Sequence, residues 1–344
     1  MQISDQIEIL GTGMEQRQNA PAELSIIIVN WNSFAYLRTC LESIYRQEAD
    51  VRLEVIVVDN GSVGEDTAHI AQNFPDALVL RSRKNLGFAG ANNLGVSYAS
   101  GSYLLFLNPD TEIIGGAIGT MLDRMKALPD AAIMGCRLMN SDGSVQTSCI
   151  QRFPTIANQL LDIEPIRLMW PHWKIWGIGS LFSDPENSTK VEVVSGACLM
   201  TRRDVFEAAG MFNRDYFMYA EDVDLCFQVK RLGWNVYSTN DASVIHHGGG
   251  TSMSRKGSVW VAVMQRQAIL QFCQRTRGAM YAEAYRATTG LAAMLRLIVI
   301  GLMLPFRLSA EGVAALRATA AKWSAVLKWA LGRTNHLFAA PESN

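Results

Sequence analysis

From Leu24 onward, short apolar runs alternate with stretches of helical spacing. Leu24 to Val29 is a largely β-branched apolar run with Ser25 inside it, followed by the polar Asn30-Trp31-Asn32-Ser33 and then Leu37, Cys40, Leu41 and Ile44 at steps of three and four. This predicts strand, loop and helix. Leu53 to Val58 repeats the pattern, breaks at Asp59-Asn60-Gly61-Ser62, and leads into a helical stretch near Thr67–Phe74. Further short strands are expected at Ala77–Arg81, Tyr103–Leu107 and Ala131–Gly135, with helices near Ala89–Ala99 and Ala117–Leu128. Runs buried on both faces and alternating with helices predict an α/β fold with a doubly wound, mostly parallel sheet. Ser141–Lys190 has no clear period and reads as an irregular, substrate-facing excursion. Val191–Thr201 then reads as a strand pair entering a helix at Arg203–Ala209, and Glu221–Leu232 as a further helix.

The two ends of the chain differ from its middle. Residues 1–23 show no periodicity and read as a loose leader; without a basic region followed by an apolar run, no cleavable secretory signal is expected. Near the other end, Leu291–Phe306 is apolar but shorter than the roughly 20 residues of a spanning helix. Val313, Leu316, Ala320, Trp323, Leu327 and Leu331 recur at helical steps, flanked by Arg317 and Lys328, as on an amphipathic helix lying on a membrane surface. A helical hairpin packed on the catalytic domain is the competing reading.

Charge sharpens this division. The net charge over 344 residues is −1, yet nine Lys/Arg fall between Arg275 and Arg333 against only Glu283 and Glu311. An acidic body with a basic, apolar tail argues for an anionic membrane surface as partner and against nucleic acid. Apolar residues make up 49% of the chain, below the profile of a polytopic membrane protein. Six cysteines without C-x-x-C spacing fit a reducing compartment. The expected organisation is a leader (1–23), a catalytic domain (24–275, with a nucleotide-binding half at about 24–135 and an acceptor half at about 136–275) and an amphipathic helical tail (276–335).

In doubly wound sheets ligands sit beyond the carboxyl ends of the strands, and those ends here carry Asn30, Asp59 and Asn108-Pro109-Asp110. Asp59 could accept bonds from a ribose or base, or simply cap the next helix as an Asx-turn. Asp110 could bridge a hard divalent ion to a diphosphate, or occupy a plain turn. His246-His247 beside Gly248-Gly249-Gly250 suits metal ligation or close approach to phosphate, though adjacent histidines are commonly surface residues. Glu221, Asp222 and Asp224 favourably meet a helix N-terminus, and the apolar approach Phe217-Met218-Tyr219 would keep one carboxylate dry enough to act as a general base. Neither a G-x-G-x-x-G turn nor a P-loop is present.

In order along the chain, Val29-Asn30-Trp31-Asn32-Ser33, Val58-Asp59-Asn60-Gly61-Ser62, Asn85-Leu86-Gly87-Phe88-Ala89-Gly90-Ala91-Asn92, Leu107-Asn108-Pro109-Asp110, Ser195-Gly196-Ala197, Glu221-Asp222 and His246 to Ser252 resemble the motifs of the family 2 glycosyltransferases of GT-A fold, in particular their rhamnosyltransferase-like branch. The resemblance implies a nucleotide-sugar donor, with Asn30 and Asp59 at the nucleoside and Gly87, Phe88, Asn92 and Asn108 along the donor pocket. It implies Asp110 and His246, or alternatively His247, as ligands of Mg2+ or Mn2+. Asp222 would be the catalytic base and Glu221 its neighbour in positioning. The family's D-x-D triplet stands here as Asn108-Pro109-Asp110, which removes its first carboxylate. The Gln-x-x-Arg-Trp of processive relatives is also absent: Gln228-Val229-Lys230-Arg231 runs into Leu232. Single transfer is therefore expected.

The resemblance implies one inverting displacement, with dTDP-L-rhamnose as donor and a lipid-linked saccharide or glycan as acceptor in bacterial surface polysaccharide synthesis. The enzyme would be cytoplasmic and peripheral at the inner face of the cell membrane. A nucleotidylyltransferase on a similar fold is disfavoured by the lack of a glycine-rich basic loop between Leu24 and Ser33. A non-catalytic sugar-nucleotide-binding scaffold is disfavoured by the joint presence of Asp59, Asp110, Asp222 and His246.

Overall fold

The structure is a computed structural model of the chain. It describes residues 7–10, 21–46, 51–64, 66–161, 169–182, 188–248, 259–306 and 309–333. Most of the leader and the glycine-rich stretch from Gly249 to Ser252 therefore lie outside the described residues. The chain divides into two compact units: Met1–Phe153, Leu168–Phe217 and Glu221–Met253 form one, and Pro154–Arg167, Met218–Ala220 and Ser254–Asn344 the other.

The first unit is built on a ten-stranded sheet. Its strands in chain order are β1 (Ile7–Leu10), β2 (Leu24–Asn30), β3 (Leu53–Asn60), β4 (Ala77–Ser82), β5 (Tyr103–Leu107), β6 (Thr111–Ile113), β7 (Ala131–Met139), β9 (Ser188–Val191), β11 (Cys198–Arg202) and β12 (Asn235–His246), while β8 (Ile150–Gln151) and β10 (Val193–Val194) form a separate antiparallel pair. The spatial order is β1-β4-β3-β2-β5-β11-β7-β12-β6, with β9 on β12. The pairs β4-β3, β3-β2, β2-β5 and β7-β12 are parallel, and β11 enters antiparallel between β5 and β7. Ile26, Ile27, Ile28, Val57, Val58 and Phe106 are almost completely buried, so the continuous apolar runs mark strands covered on both faces. Helices α1 (Phe34–Tyr45), α2 (Asp66–Asn73), α3 (Gly87–Tyr98), α4 (Ala117–Ala127), α6 (Arg203–Ala208) and α7 (Glu221–Arg231) pack on this frame. The α/β fold with a large, mostly parallel sheet is as expected.

β1, β6, β8 and β12 went unforeseen, as did β9 but for Val191. β1 pairs antiparallel with β4, Ile9 opposite Leu80, so Ile7–Leu10 of the supposed loose leader is an edge strand. Four residues at an edge, half exposed, leave no periodicity to read. β6 is only three residues long, and β12 mixes polar positions with a register shift between Thr239 and Ser243, which hides its alternation. Inside the irregular excursion, Trp170, Trp173 and Trp176 stack nearly parallel, with successive centroids 5.0 and 5.2 Å apart. All six cysteines are free and buried.

The second unit contains α5 (Ile156–Leu160), α8 (Val259–Arg277), α9 (Ala279–Met303) and α10 (Ala310–Ala330). Ala262 of α8, Ala293 of α9 and Val326 of α10 form a small buried core, with Trp323 and Leu327 packed against it. Tyr285 meets Trp329 edge to face, and Arg286 donates to the carbonyl of Ala330. Of the stripe on α10 that was expected to face lipid, Trp323 and Leu327 thus turn into this unit, whereas Leu331, just past the helix end, is 61% exposed. Trp323, Leu327 and their neighbours satisfy a helical core as well as they would satisfy a bilayer, and periodicity does not distinguish the two. The apolar run Leu291–Phe306 also changes meaning, because its helix begins at Ala279. The resulting 25 residues are long and apolar enough to cross a membrane by length and composition alone.

Candidate active site

Segments at the carboxyl side of the parallel strands supply the site, and the strand register positions several of its side chains. Asn30 ends β2 and Asp59 lies near the end of β3, directly opposite it in the parallel pairing. Asn30 accepts from the Ser33 hydroxyl at 2.8 Å and donates to Ser62 at 3.4 Å. Asp59 is completely buried and accepts from the Ser62 amide at 3.1 Å and from the Thr67 hydroxyl, with Arg81 3.7 Å away. The Asp59 carboxylate thus ties the turn to the start of α2, the capping role that competed with nucleoside contact.

Gly87 opens α3 at φ +73°, and a Cβ there would lie 2.7 Å from the Phe217 carbonyl. Only glycine accommodates both conditions without strain. The same carbonyl accepts from the Phe88 amide at 3.0 Å, and Asn92 reaches back to the Phe88 carbonyl at 3.0 Å. Asn60, which carried no expectation, holds this corner in place: its amide donates to Asn85 at 3.0 Å and to the Gly87 carbonyl at 3.2 Å, and accepts from Leu86 at 2.7 Å. Its position beside Asp59 in the Asp-Asn-Gly-Ser turn was the signal that could have found it.

Phe88 leads to the acidic pair. A Cβ built on Gly196 would stand 3.6 Å from the Phe88 ring and 3.5 Å from the Asp222 carboxylate, so Gly196 separates the two by one van der Waals layer. The Gly196 amide donates to Asp222 Oδ2 at 2.9 Å, and the Val223 amide donates to Oδ1 at 2.8 Å. Burial raises the Asp222 carboxyl above its usual range, and these two amides partly offset it. Glu221 is 6% exposed, and its Oε2 is buried without a hydrogen-bond partner. Burial, with the neighbouring Asp222 charge adding to it, pushes the Glu221 carboxyl well above the ordinary range. The pair therefore separates in tendency: Glu221 is pushed up the more strongly, while Asp222, partly buried and bonded by two amides, is the member that ionises more readily. The turn before α7 is strained, with Tyr219 and Ala220 at φ 72° and 63°.

The third cluster is carried by β12. Its antiparallel register with β6 sets His246 opposite Thr111, one residue after Asp110. His246 Nε2 consequently lies 3.3 Å from Asp110 Oδ1 and 3.4 Å from Asn108 Nδ2. His247 turns elsewhere: its Nδ1 meets the Ser141 hydroxyl at 2.8 Å, its Nε2 lies 3.7 Å from Glu112, and its ring leans on Tyr36. The geometry selects His246 as the imidazole beside Asp110. The Asn108 amide is held to the Ala197 carbonyl at 2.9 Å, which joins this cluster to the Gly196 loop. Among the described residues no three His, Cys, Asp or Glu side chains converge as a metal cage. One carboxylate and one imidazole nitrogen are a fitting partial set for a divalent ion that completes its shell with substrate phosphate and water.

Sequence comparison bears directly on this arrangement, for the profile described as Glycosyl transferase family 2 matches residues 25–210, more than half of the chain. The chain belongs to glycosyl transferase family 2. Among relatives of this glycosyltransferase, the N-acetylglucosaminyl-diphospho-decaprenol L-rhamnosyltransferase of Mycobacterium tuberculosis is 28% identical over 236 residues, covering 65% of this chain and 76% of that protein. The rhamnosyltransferase WbbL of Escherichia coli is 26% identical over 236 residues, covering 64% and 82%. A solved mannosyltransferase from Pyrobaculum calidifontis, in complex with GDP-Man and Mn2+, superposes with a TM-score of 0.55 at 16% identity, covering 92% of this glycosyltransferase and 88% of that chain. It shares the fold.

Proposed function

We propose that this glycosyltransferase moves a single sugar, L-rhamnose from dTDP-L-rhamnose, onto a lipid-linked saccharide in surface polysaccharide synthesis, with inversion and with the help of Mg2+ or Mn2+. The observation that carries the proposal is the convergence of Asp110, His246 and the Asp222 loop through Asn108, Ala197 and Gly196. The names of the two relatives support rhamnose as the sugar, and that of the mycobacterial enzyme supports a diphosphate-linked lipid acceptor.

Asp222 accepts the acceptor hydroxyl proton, and the freed oxygen attacks the anomeric carbon from the side opposite the departing diphosphate. Gly196 and Val223 orient its carboxylate by two amide bonds. Glu221, whose carboxyl burial pushes up the more strongly, leaves Asp222 as the more readily charged member of the pair. Asp110 and His246 would hold the divalent ion, which supplies Lewis-acid neutralisation of the leaving nucleoside diphosphate. Gly87, Phe88 and Asn92 shape the donor side, and Asn30 and Asp59 stabilise the loops that receive the nucleoside.

The second unit supports a peripheral place at the inner face of the membrane, but through α9 rather than α10. Ala282, Tyr285, Thr289 and Ala293 of α9 are buried within the helical unit, whereas Leu291, Leu295, Ile298, Val299 and Leu302 are exposed, Leu302 to 68%. If α9 spanned the bilayer, α10, packed along it, would carry Arg317, Lys322 and Lys328 into the hydrocarbon, a cost of several kcal/mol. An interfacial helix with only its outer face in lipid avoids this. Hydrolysis and transfer assays over a donor panel, followed by NMR of the product's anomeric configuration, test the proposal. Preference for another donor removes rhamnose, and retention of configuration removes the single displacement.

A further inference from the structure

Gln146 belongs to none of the motifs, yet it contacts His246 twice. β7 ends at Met139, the chain turns through Asn140–Ser144, and Gln146 returns to bond the Leu138 carbonyl at 2.8 Å. That hairpin aims the Gln146 amide at the end of β12. Its Nε2 is 2.6 Å from the backbone carbonyl of His246, and its Oε1 is 2.9 Å from His246 Nδ1.

The chemistry of these four atoms allows one assignment. A backbone carbonyl only accepts, so the NH2 end of the amide faces it and the oxygen end faces the ring. An amide oxygen also only accepts, so the hydrogen in the second contact is on Nδ1. In the neutral imidazole Nε2 then carries the lone pair. Its surroundings agree, because Asn108 Nδ2 is a donor and lies 3.4 Å from it. The remaining neighbour is Asp110 Oδ1 at 3.3 Å, which is also electron-rich. A lone pair and a carboxylate oxygen held this close repel unless a cation is shared between them, a proton in the metal-free site or a metal ion in the loaded one.

We propose that Gln146 is a positioning residue that fixes His246 in its Nδ1–H tautomer, so that the Nε2 lone pair stands ready beside Asp110 as one half of a divalent-cation site. The proposal rests on the metal reading given under Proposed function and adds to it the residue that makes the imidazole a competent ligand. Outer-shell partners of this kind typically change metal affinity ~10–100-fold when removed.

Two measurements on the full-length protein test it. In metal-free, 15N-histidine-labelled protein, long-range 1H–15N spectra should show the neutral His246 ring with its hydrogen on Nδ1; a neutral ring with its hydrogen on Nε2 and a bare Nδ1 overturns the proposal. In EPR titrations with Mn2+ alone, Gln146→Ala should bind ~10–100-fold more weakly than wild type. Gln146→Glu, which keeps an acceptor against Nδ1–H, should recover most of that loss even though it no longer donates to the His246 carbonyl. An equal loss in the two variants would mean that Gln146 serves only to hold the loop, and the proposal falls. If His246→Ala weakens Mn2+ binding but Gln146→Ala does not, the metal site stands and the role of Gln146 fails. If His246→Ala binds Mn2+ like wild type, the metal reading itself is lost, and this inference with it.

Discussion

Replacing Asp222 by asparagine removes the base, but the structure shows that the change is not a silent isostere. Both carboxylate oxygens accept a backbone amide, Gly196 N at 2.9 Å and Val223 N at 2.8 Å. An asparagine presents one oxygen and one NH2, so in either orientation the NH2 faces an N–H donor. One amide is left without its acceptor, at a cost of ~1–3 kcal/mol. Loss of general-base catalysis should lower turnover by ~10²–10⁴, equivalent to roughly 2.7–5.5 kcal/mol at 1.36 kcal/mol per tenfold. The two effects separate by assay. Thermal or urea denaturation reads the first, which Asp222→Asn should show as a modest loss of stability. Single-turnover transfer at saturating donor and acceptor reads the second. Nucleotide affinity, measured by calorimetry, should stay within a few-fold of wild type, since the Asp222 side chain faces the donor side across Gly196, with the Phe88 ring beyond it. A variant that folds and keeps more than about a tenth of wild-type single-turnover rate, below the tenfold loss that is well under the expected range, would place the base elsewhere. Glu221 would be a poor substitute, being buried with its carboxyl pushed well above the ordinary range.

Chelation should abolish transfer, and Asp110→Ala and His246→Ala should each raise the Mn2+ concentration needed for half-maximal rate; His247→Ala should not, because its ring faces Glu112 and Ser141. Equal sensitivity of the two histidines would contradict the observed geometry. The raised Asp222 carboxyl must be ionised to act, so the acid limb of kcat against pH should lie above the range of an ordinary carboxylate near 4. Glu221 has a folded-state carboxyl raised above its unfolded value, so its contribution to stability is present at low pH and is lost as pH rises through the folded value. Glu221→Gln should therefore melt higher than wild type at pH 8 and lose that advantage toward pH 4, as calorimetry would show. The double variant Ile298→Asp/Leu302→Asp should release the protein from anionic vesicles in flotation assays while leaving donor hydrolysis intact; undiminished flotation would move the docking surface off α9.

Much of this architecture was legible because it rests on strands buried on both faces. Leu24–Val29, Leu53–Val58 and Tyr103–Leu107 could be read directly, since residues 26–29, 55–58 and 104–107 are each four consecutive apolar positions bounded by turn signals, too short for a helix and long enough for a covered strand. The polar strand ends were legible for the same reason, and so was the grouping of Asn30 with Asp59. Features that depend on partners far along the chain could not be read. β12 is recognisable only through its pairing with β7, β6 and β9, yet its register is what chooses His246 over His247. Gln146 is a lone polar residue in a hairpin, with no spacing to mark it. In the helices, Trp323 and Leu327 display the same three-and-four pattern whether they meet lipid or α8 and α9, whereas the exposed face of α9 was obscured by the buried one on its other side.

The burial of all six cysteines has a practical consequence for reagents rather than for folding. Thiol-selective reagents attack the thiolate, and burial works against that form: the Cys149 thiol is pushed up to about 11, and Cys40 and Cys226 to about 12. At neutral pH the native chain therefore offers a maleimide almost nothing to react with. A single cysteine introduced at an exposed position, such as Met280 at 89% exposure, would become the one fast-reacting thiol without removal of any native cysteine. A spin label or fluorophore placed there, and then stepped along Leu291, Leu295 and Leu302, would report the depth of each position below a lipid headgroup plane, residue by residue.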